Sequence, residues 1–132
     1  LYADDWESVI SLKKQQVKTC WWINDPADIA DANSTIGSAY YMLGDLAKSK
    51  IAFTHCVKLY YSEPNCHYWL AALALLEKDF STFEKEKEIA KKIALRIISE
   101  GVPTYTKNEI LIIKSKARID VARSVLRKIS EF

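Results

Sequence analysis

Glycine and proline are scarce in this chain of 132 residues, which holds three of each. So few turn formers argue against a fold of many short strands and favour a few long elements, hence helices. Long hydrophobic runs are missing too. The longest, YWLAALALL at residues 68–76, falls far short of the ~20 residues that cross a bilayer as a helix. No transmembrane segment is therefore expected. A charged n-region followed by an apolar signal stretch is also missing, although a chain beginning at Leu1 says little about compartment on that ground.

The familiar catalytic patterns are absent as well. There is no Gly-x-Ser-x-Gly elbow, no glycine-rich phosphate loop and no His-Glu-x-x-His pair. The chain is therefore expected not to be an enzyme and to need no cofactor. The acids Asp25, Asp28 and Asp31 cluster at one expected helix start, where the helix dipole accounts for them. Cysteine is limited to Cys20, Cys56 and Cys66. An odd number without paired spacing predicts free, buried thiols rather than a disulfide framework, and favours a reducing compartment. His55-Cys56 and Cys66-His67 offer zinc-type ligands, but adjacent helical residues point about 100° apart, so no metal site is expected.

What is present is a one-domain length and ordinary composition, 49% hydrophobic and 27% charged, with net charge +2. Charge is unevenly spread. Residues 1–81 carry 7 Lys/Arg against 10 Asp/Glu, whereas residues 82–132 carry 12 against 7. A solvated helix surface accounts for that excess, with a basic binding face as the alternative.

Apolar residues recur at helical spacing. Trp6, Val9, Ile10, Val17 and Trp21 form a first stripe over residues 6–22. Asp25 and Pro26 then cap and open a second helix, which carries Ile29, Ala32, Ile36, Tyr40 and Leu43. Gly44 suits a left-handed helix end, and Asp45 caps a third helix bearing Leu46, Ser49, Phe53, Cys56, Val57 and Tyr60. Ser62-Glu63-Pro64 starts a fourth with Leu70, Ala71 and Ala74. After Lys78-Asp79 a fifth presents Phe80, Phe83, Ala90, Ile93, Ala94 and Ile97, and Gly101-Val102-Pro103 stops it. Thr106 and Glu109 match a capping box ahead of a sixth helix with Ile110, Ile113, Ala117, Val121, Val125 and Ile129. The expectation is an all-α fold of about six helices.

The chain also repeats itself at an offset of 34. Ile36 falls on Leu70, Gly37 on Ala71, Asp45 on Asp79, Leu46 on Phe80 and Cys56 on Ala90. Small residues at two of these positions let antiparallel helices approach, while the large ones fill the gap.

Residues 30–63 resemble one copy of the tetratricopeptide repeat family, through Gly37, Tyr40, Gly44-Asp45, Leu46, Phe53 and Cys56-Val57. Residues 64–97 resemble a degenerate second copy, in which Ala74, Lys78 and Lys87 replace an expected aromatic, glycine and aromatic. Residues 6–22 fit the second helix of an eroded earlier copy, and 106–130 a solvating cap. The resemblance implies a single domain of antiparallel helix-hairpin repeats, a right-handed α-solenoid. It further implies a concave groove lined by Asp31, Ser34, Ser38, Tyr41 and Met42 from the first copy and Asn65, Tyr68, Ala72 and Leu75 from the second. Family members that hold acidic chaperone tails use Lys, Arg and Asn there. Ser34, Ser38 and Ala72 supply no cation, so the groove is expected to be neutral and aromatic, without such a clamp.

Trp21 and Trp22 project from different helix faces, which makes Trp22 a candidate interface anchor. Together these features point to a protein–protein interaction module or assembly adaptor that takes a peptide, a helix or a partner subunit. The alternative is a structural subunit of a larger complex or a self-associating element. Nucleic-acid binding through Lys114, Lys116, Arg118, Arg123, Arg127 and Lys128 is the weakest reading, because Asp120 and Glu131 interleave with them.

Overall fold

Six helices follow one another in the computed structural model, which describes residues 5–19 and 26–132. They are α1 (Trp6–Thr19), α2 (Pro26–Met42), α3 (Leu46–Leu59), α4 (Pro64–Leu76), α5 (Phe80–Glu100) and α6 (Glu109–Ser130). No strand occurs among the described residues. Consecutive helices pack as neighbours from α1 to α6, and α6 also rests on α4. The expected Asp25 cap, Cys20 and the Trp21-Trp22 pair lie outside the described residues.

The turns that join the helices explain the chain's punctuation. After α2, Gly44 adopts φ +82°. Its N–H bonds the Tyr41 carbonyl at 3.0 Å, and the Asp45 N–H bonds that of Tyr40 at 3.0 Å. These two bonds make a Schellman ending that consumes carbonyls the helix would leave unpaired. Asp45 then caps α3, its carboxylate accepting from the Lys48 N–H. Thirty-four residues on, the same arrangement recurs. Lys78 N–H bonds Leu75 O at 3.1 Å, Asp79 N–H bonds Ala74 O at 2.9 Å, and Asp79 accepts from the Thr82 N–H at 3.2 Å. The Thr82 hydroxyl and N–H hold the Asp79 carboxyl below the usual carboxylate range. The repeat offset read from side chains is thus matched by backbone bonds.

Inside the first hairpin, α2 and α3 meet at Gly37. A Cβ there would stand 2.8 Å from the Phe53 ring, which is fully buried. The Ser49 hydroxyl, also buried, donates to the Gly37 carbonyl at 2.8 Å. Ile10 of α1 packs on Ile36, Ala39 and Ala52, which ties the first helix to this hairpin. The second hairpin buries Ala71, Ala74 and Phe83, and α5 and α6 share Ala90, Ile93, Ala94, Ile97, Ile119, Ala122 and Val125.

Four expectations need correcting. Cys56 and Cys66 form a disulfide between α3 and α4, both fully buried. They are not free thiols, and the ground for favouring a reducing compartment falls with them. The α6 cap is Asn108, whose side-chain carbonyl accepts from both the Ile110 and Leu111 N–H groups, while Thr106 accepts from the Asn108 N–H. One amide oxygen reaching two donors displaces the capping box. Phe80 stands 60% exposed at the first position of α5, ahead of the buried stripe. In α6 the expected stripe holds only toward its C-terminus. Ile110 and Ile113 are 69% and 65% exposed, because α6 touches α5 through a face carrying Ile119 and Ala122 instead.

Two expected outcomes follow. Lys78 sits at φ +60°, where a Cβ is strained and glycine is not. Lys78→Gly should therefore stabilise the fold by about 1 kcal/mol, read from urea denaturation. For the disulfide, which spans ten residues of sequence, the chain-entropy estimate for so short a loop is about 3 kcal/mol. A denaturation midpoint that does not fall when Cys56→Ser/Cys66→Ser is compared with the oxidised chain would contradict the pairing.

Candidate functional site

The two hairpins and α6 enclose a cleft of about 570 Å³. One wall is the N-terminal half of α2, with Asp28, Asp31 and Ser34. The turn between α3 and α4 and the start of α4 form the floor, with Tyr60, Glu63, Pro64 and Asn65. The opposite wall is α6, which presents Leu111, Lys114, Ser115, Arg118 and Val121, and Ile97 of α5 closes one end. Residues 111, 114, 115, 118 and 121 recur at helical spacing, so one face of α6 looks into the cleft.

Each wall is positioned by features already described. The disulfide fixes α4 against α3 beside the floor. Glu63 serves as N-cap of α4, with Pro64 in the first turn and its carboxylate accepting from the Asn65 N–H at 3.3 Å. The Asn65 side-chain amide donates to the Ser34 hydroxyl at 3.0 Å, joining α4 to α2 across the base. On the open side, the Lys114 ammonium lies 3.9 Å from Asp28, and the Arg118 guanidinium stacks over Tyr60 at 5.5 Å. The Lys114–Asp28 pair is exposed, and exposed ion pairs contribute about 0–1 kcal/mol.

Burial pushes the Glu63 carboxyl above the usual carboxylate range. The Asn65 N–H partly offsets this, Asp31 adds to the upward push, and Arg118 and His67 draw it down. The cleft therefore carries acids on the α2 and α4 side and bases on the α6 side.

The expected groove residues divide three ways. Asp31, Ser34 and Asn65 line the cleft together. Tyr41 and Tyr68 pack instead on Trp69, at 5.0 and 5.5 Å between ring centroids. Tyr68 also stacks on Phe132 at 5.3 Å and lies under Lys128, and burial raises its phenol pKa. Ser38 is half-buried, its hydroxyl donating to the Ser34 carbonyl. Met42 and Leu75 are exposed and Ala72 is half-buried, and none of the three lines the cleft. Trp22 lies outside the described residues.

The cleft is not the neutral, aromatic groove that the resemblance implies, with which it shares Asp31, Ser34 and Asn65. Segment 106–130 does not only solvate an end: α6 forms a wall of the cleft and brings Lys114 and Arg118 into it. Sequence reasoning missed Glu63, Tyr60 and the α6 wall. The available signal was the spacing of Leu111 and Arg118 with Val121 in α6, of which only Val121 entered the expected stripe.

Of the two cysteine–histidine pairs, His67 is buried with its Nδ1 2.6 Å from Glu86 and its Nε2 2.7 Å from the Tyr61 carbonyl. Both ring nitrogens thus meet acceptor oxygens, one on α5 and one in the α3–α4 turn. His55 lies on the far side of α2, away from the cleft. No protein-family model, curated protein or solved structure matches this chain.

Glu63 gives a pH test. A carboxyl whose folded pKa is raised stabilises the fold fully below its unfolded value near 4.5, and that contribution is lost as pH rises through the folded value. At pH 7 the ionised, half-buried carboxylate is less favourable to the fold than its protonated form. Glu63→Gln keeps an acceptor for the Asn65 N–H but cannot ionise. It should unfold at higher urea than wild type at pH 7, with the gap narrowing toward pH 4.5. A variant less stable than wild type at pH 7 would show the carboxylate to be stabilising as an anion.

Proposed function

We propose that this chain is a non-catalytic protein–protein interaction module or assembly adaptor. Its working surface is the cleft between α2, the α3–α4 turn and α6, and the ligand is an extended peptide segment of a partner protein. The fold we attach to this reading is a right-handed, tetratricopeptide-like solenoid of two hairpins flanked by α1 and α6.

The observation that carries the reading is the composition of the cleft. An extended peptide presents an N–H and a C=O at each residue, with side chains alternating between two sides. Ser34, Asn65, Glu63 and Ser115 supply both donors and acceptors for such a main chain. Ile97, Leu111 and Val121 supply apolar ground for its side chains. A volume of about 570 Å³ lies within the range of sites that bury small ligands or short peptide stretches. The duplicated hairpin turns support the reading from the side of the scaffold, since they pair α2 with α3 and α4 with α5, the helices that carry the α2 wall and flank the floor.

Displayed random peptides selected on the wild-type chain should lose at least tenfold in affinity for Ala117→Trp. This substitution fills the cleft from an exposed position on α6 and should leave the helical circular dichroism unchanged. Failure to enrich any peptide, or peptides indifferent to Ala117→Trp, would remove this cleft as the binding surface.

A further inference from the structure

The opposite side of α2 carries a second concavity, of about 490 Å³, between α1, α2 and α3. Residues 33, 36 and 40 line it, whereas residues 28, 31 and 34 line the cleft, so at helical spacing the two sites lie on opposed faces. Its floor is apolar: Val17, Ile36, Ile51 and Ala52. Its rim is basic, with Lys14, Lys18 and Lys48 together with His55.

This rim does not follow from composition. Residues 1–81 hold more acids than bases, 10 against 7. Yet three of those seven cations border this hollow, and no acid among the described residues lines it. Lys14 and Lys48 moreover converge on one ring. Their ammonium groups lie 5.4 and 5.7 Å from the centroid of Tyr40, and Lys14 donates to the Tyr40 hydroxyl at 2.9 Å. Gathering like charges at one spot raises the potential there and favours an anion. Among the described residues Asp45 pairs with Lys48 at 3.8 Å, in an exposed i, i+3 pair that offsets little of the charge. The lysine stems extend the apolar lining up to the charged rim.

We propose that this hollow binds a small amphiphilic anion. The apolar body lies on Val17, Ile36 and Ala52, and the anionic head group sits among the ammonium groups of Lys14, Lys18 and Lys48. The inference is independent of the peptide reading, because the two sites share no residue.

The test is an NMR titration of the full chain with decanoate below its micelle concentration, with 1-decanol and inorganic phosphate as separate arms. Decanoate should shift the amides of Ile36, Lys48 and Ile51 saturably. Decanol and phosphate alone should bind at least tenfold more weakly. Lys14→Gln/Lys48→Gln, both at exposed positions, should weaken decanoate at least tenfold, while Lys114→Gln in the cleft should not. Four results would each overturn the proposal: no saturable shift, equal binding of decanol or phosphate, an unaffected double variant, or a response only above the micelle concentration. The last would indicate a lipid surface as the partner.

Discussion

The contact on which the rest of the structure depends is the Phe53 ring lying against the bare Cα of Gly37. The ring has no space for a Cβ beneath it, and the Ser49 hydroxyl clamps the same peptide carbonyl. Buried to that depth, Phe53 becomes the base of an aromatic column. It stacks on Trp69 at 5.6 Å with the planes 6° apart, and Trp69 in turn meets Tyr41 and Tyr68. Tyr68 stacks on Phe132, which lies edge-on to Phe83. One close approach in the first hairpin is thereby propagated through α4 to the C-terminal end of α6. The disulfide runs beside the column between the same two helices, α3 and α4. Tyr41 and Tyr68 belong to this spine, which is why they are not cleft residues.

The second hairpin shows what happens when that contact is not used. Thirty-four residues on, Ala71 stands for Gly37, Lys87 for Phe53 and Phe83 for Ser49. The aromatic has moved one helical turn toward the hairpin turn, where Phe83 is buried with Ala71 and Ala74. With no ring over the α4 backbone at the Lys87 position, the absolute need for glycine disappears. Lys87 instead lies over the Phe83 ring at 4.9 Å and pairs with Glu84. Lys87, one of the departures in the second hairpin, is thus coupled to Phe83 and Ala71, while the hydrogen bonds of the turn stay as they were.

That difference explains what was legible in the sequence. Helix ends were, because caps and left-handed residues act locally: Gly44, Asp45, Glu63, Pro64 and Asp79 each stand where their chemistry is used. Residues near the hairpin contacts were legible too, since Ser49, Phe53, Ala71 and Ala90 are buried as their spacing implied. The disulfide was not, because bringing Cys56 to Cys66 depends on how α4 docks on α3, and nothing local encodes that. Nor was the α6 wall. Its sequence offers more than one apolar stripe, and only the position of α5 and α4 decides that Ile119, Ala122 and Val125 are the residues buried. Asp31, Ser34 and Asn65, expected in a groove, line the cleft from the hairpins; Lys114 and Arg118 were read only as part of a basic face, because nothing local places α6 against α2.

The cleft therefore combines walls of unequal firmness. The α2 and α4 sides are held by the Asn65–Ser34 bond, the disulfide and the buried core of the hairpins. On the α6 side the C-terminal half is anchored through Ile119, Ala122 and Val125, whereas the half that faces α2 is held by the exposed Lys114–Asp28 pair and Arg118 over Tyr60. Burial of a single large apolar side chain contributes ~1.5–3 kcal/mol, against about 0–1 kcal/mol for an exposed ion pair. The geometry of the floor is accordingly set by the fold. The spacing between Asp31 and Arg118, the two charged sides of the cleft, rests on contacts weaker than the energy a buried ligand side chain would supply.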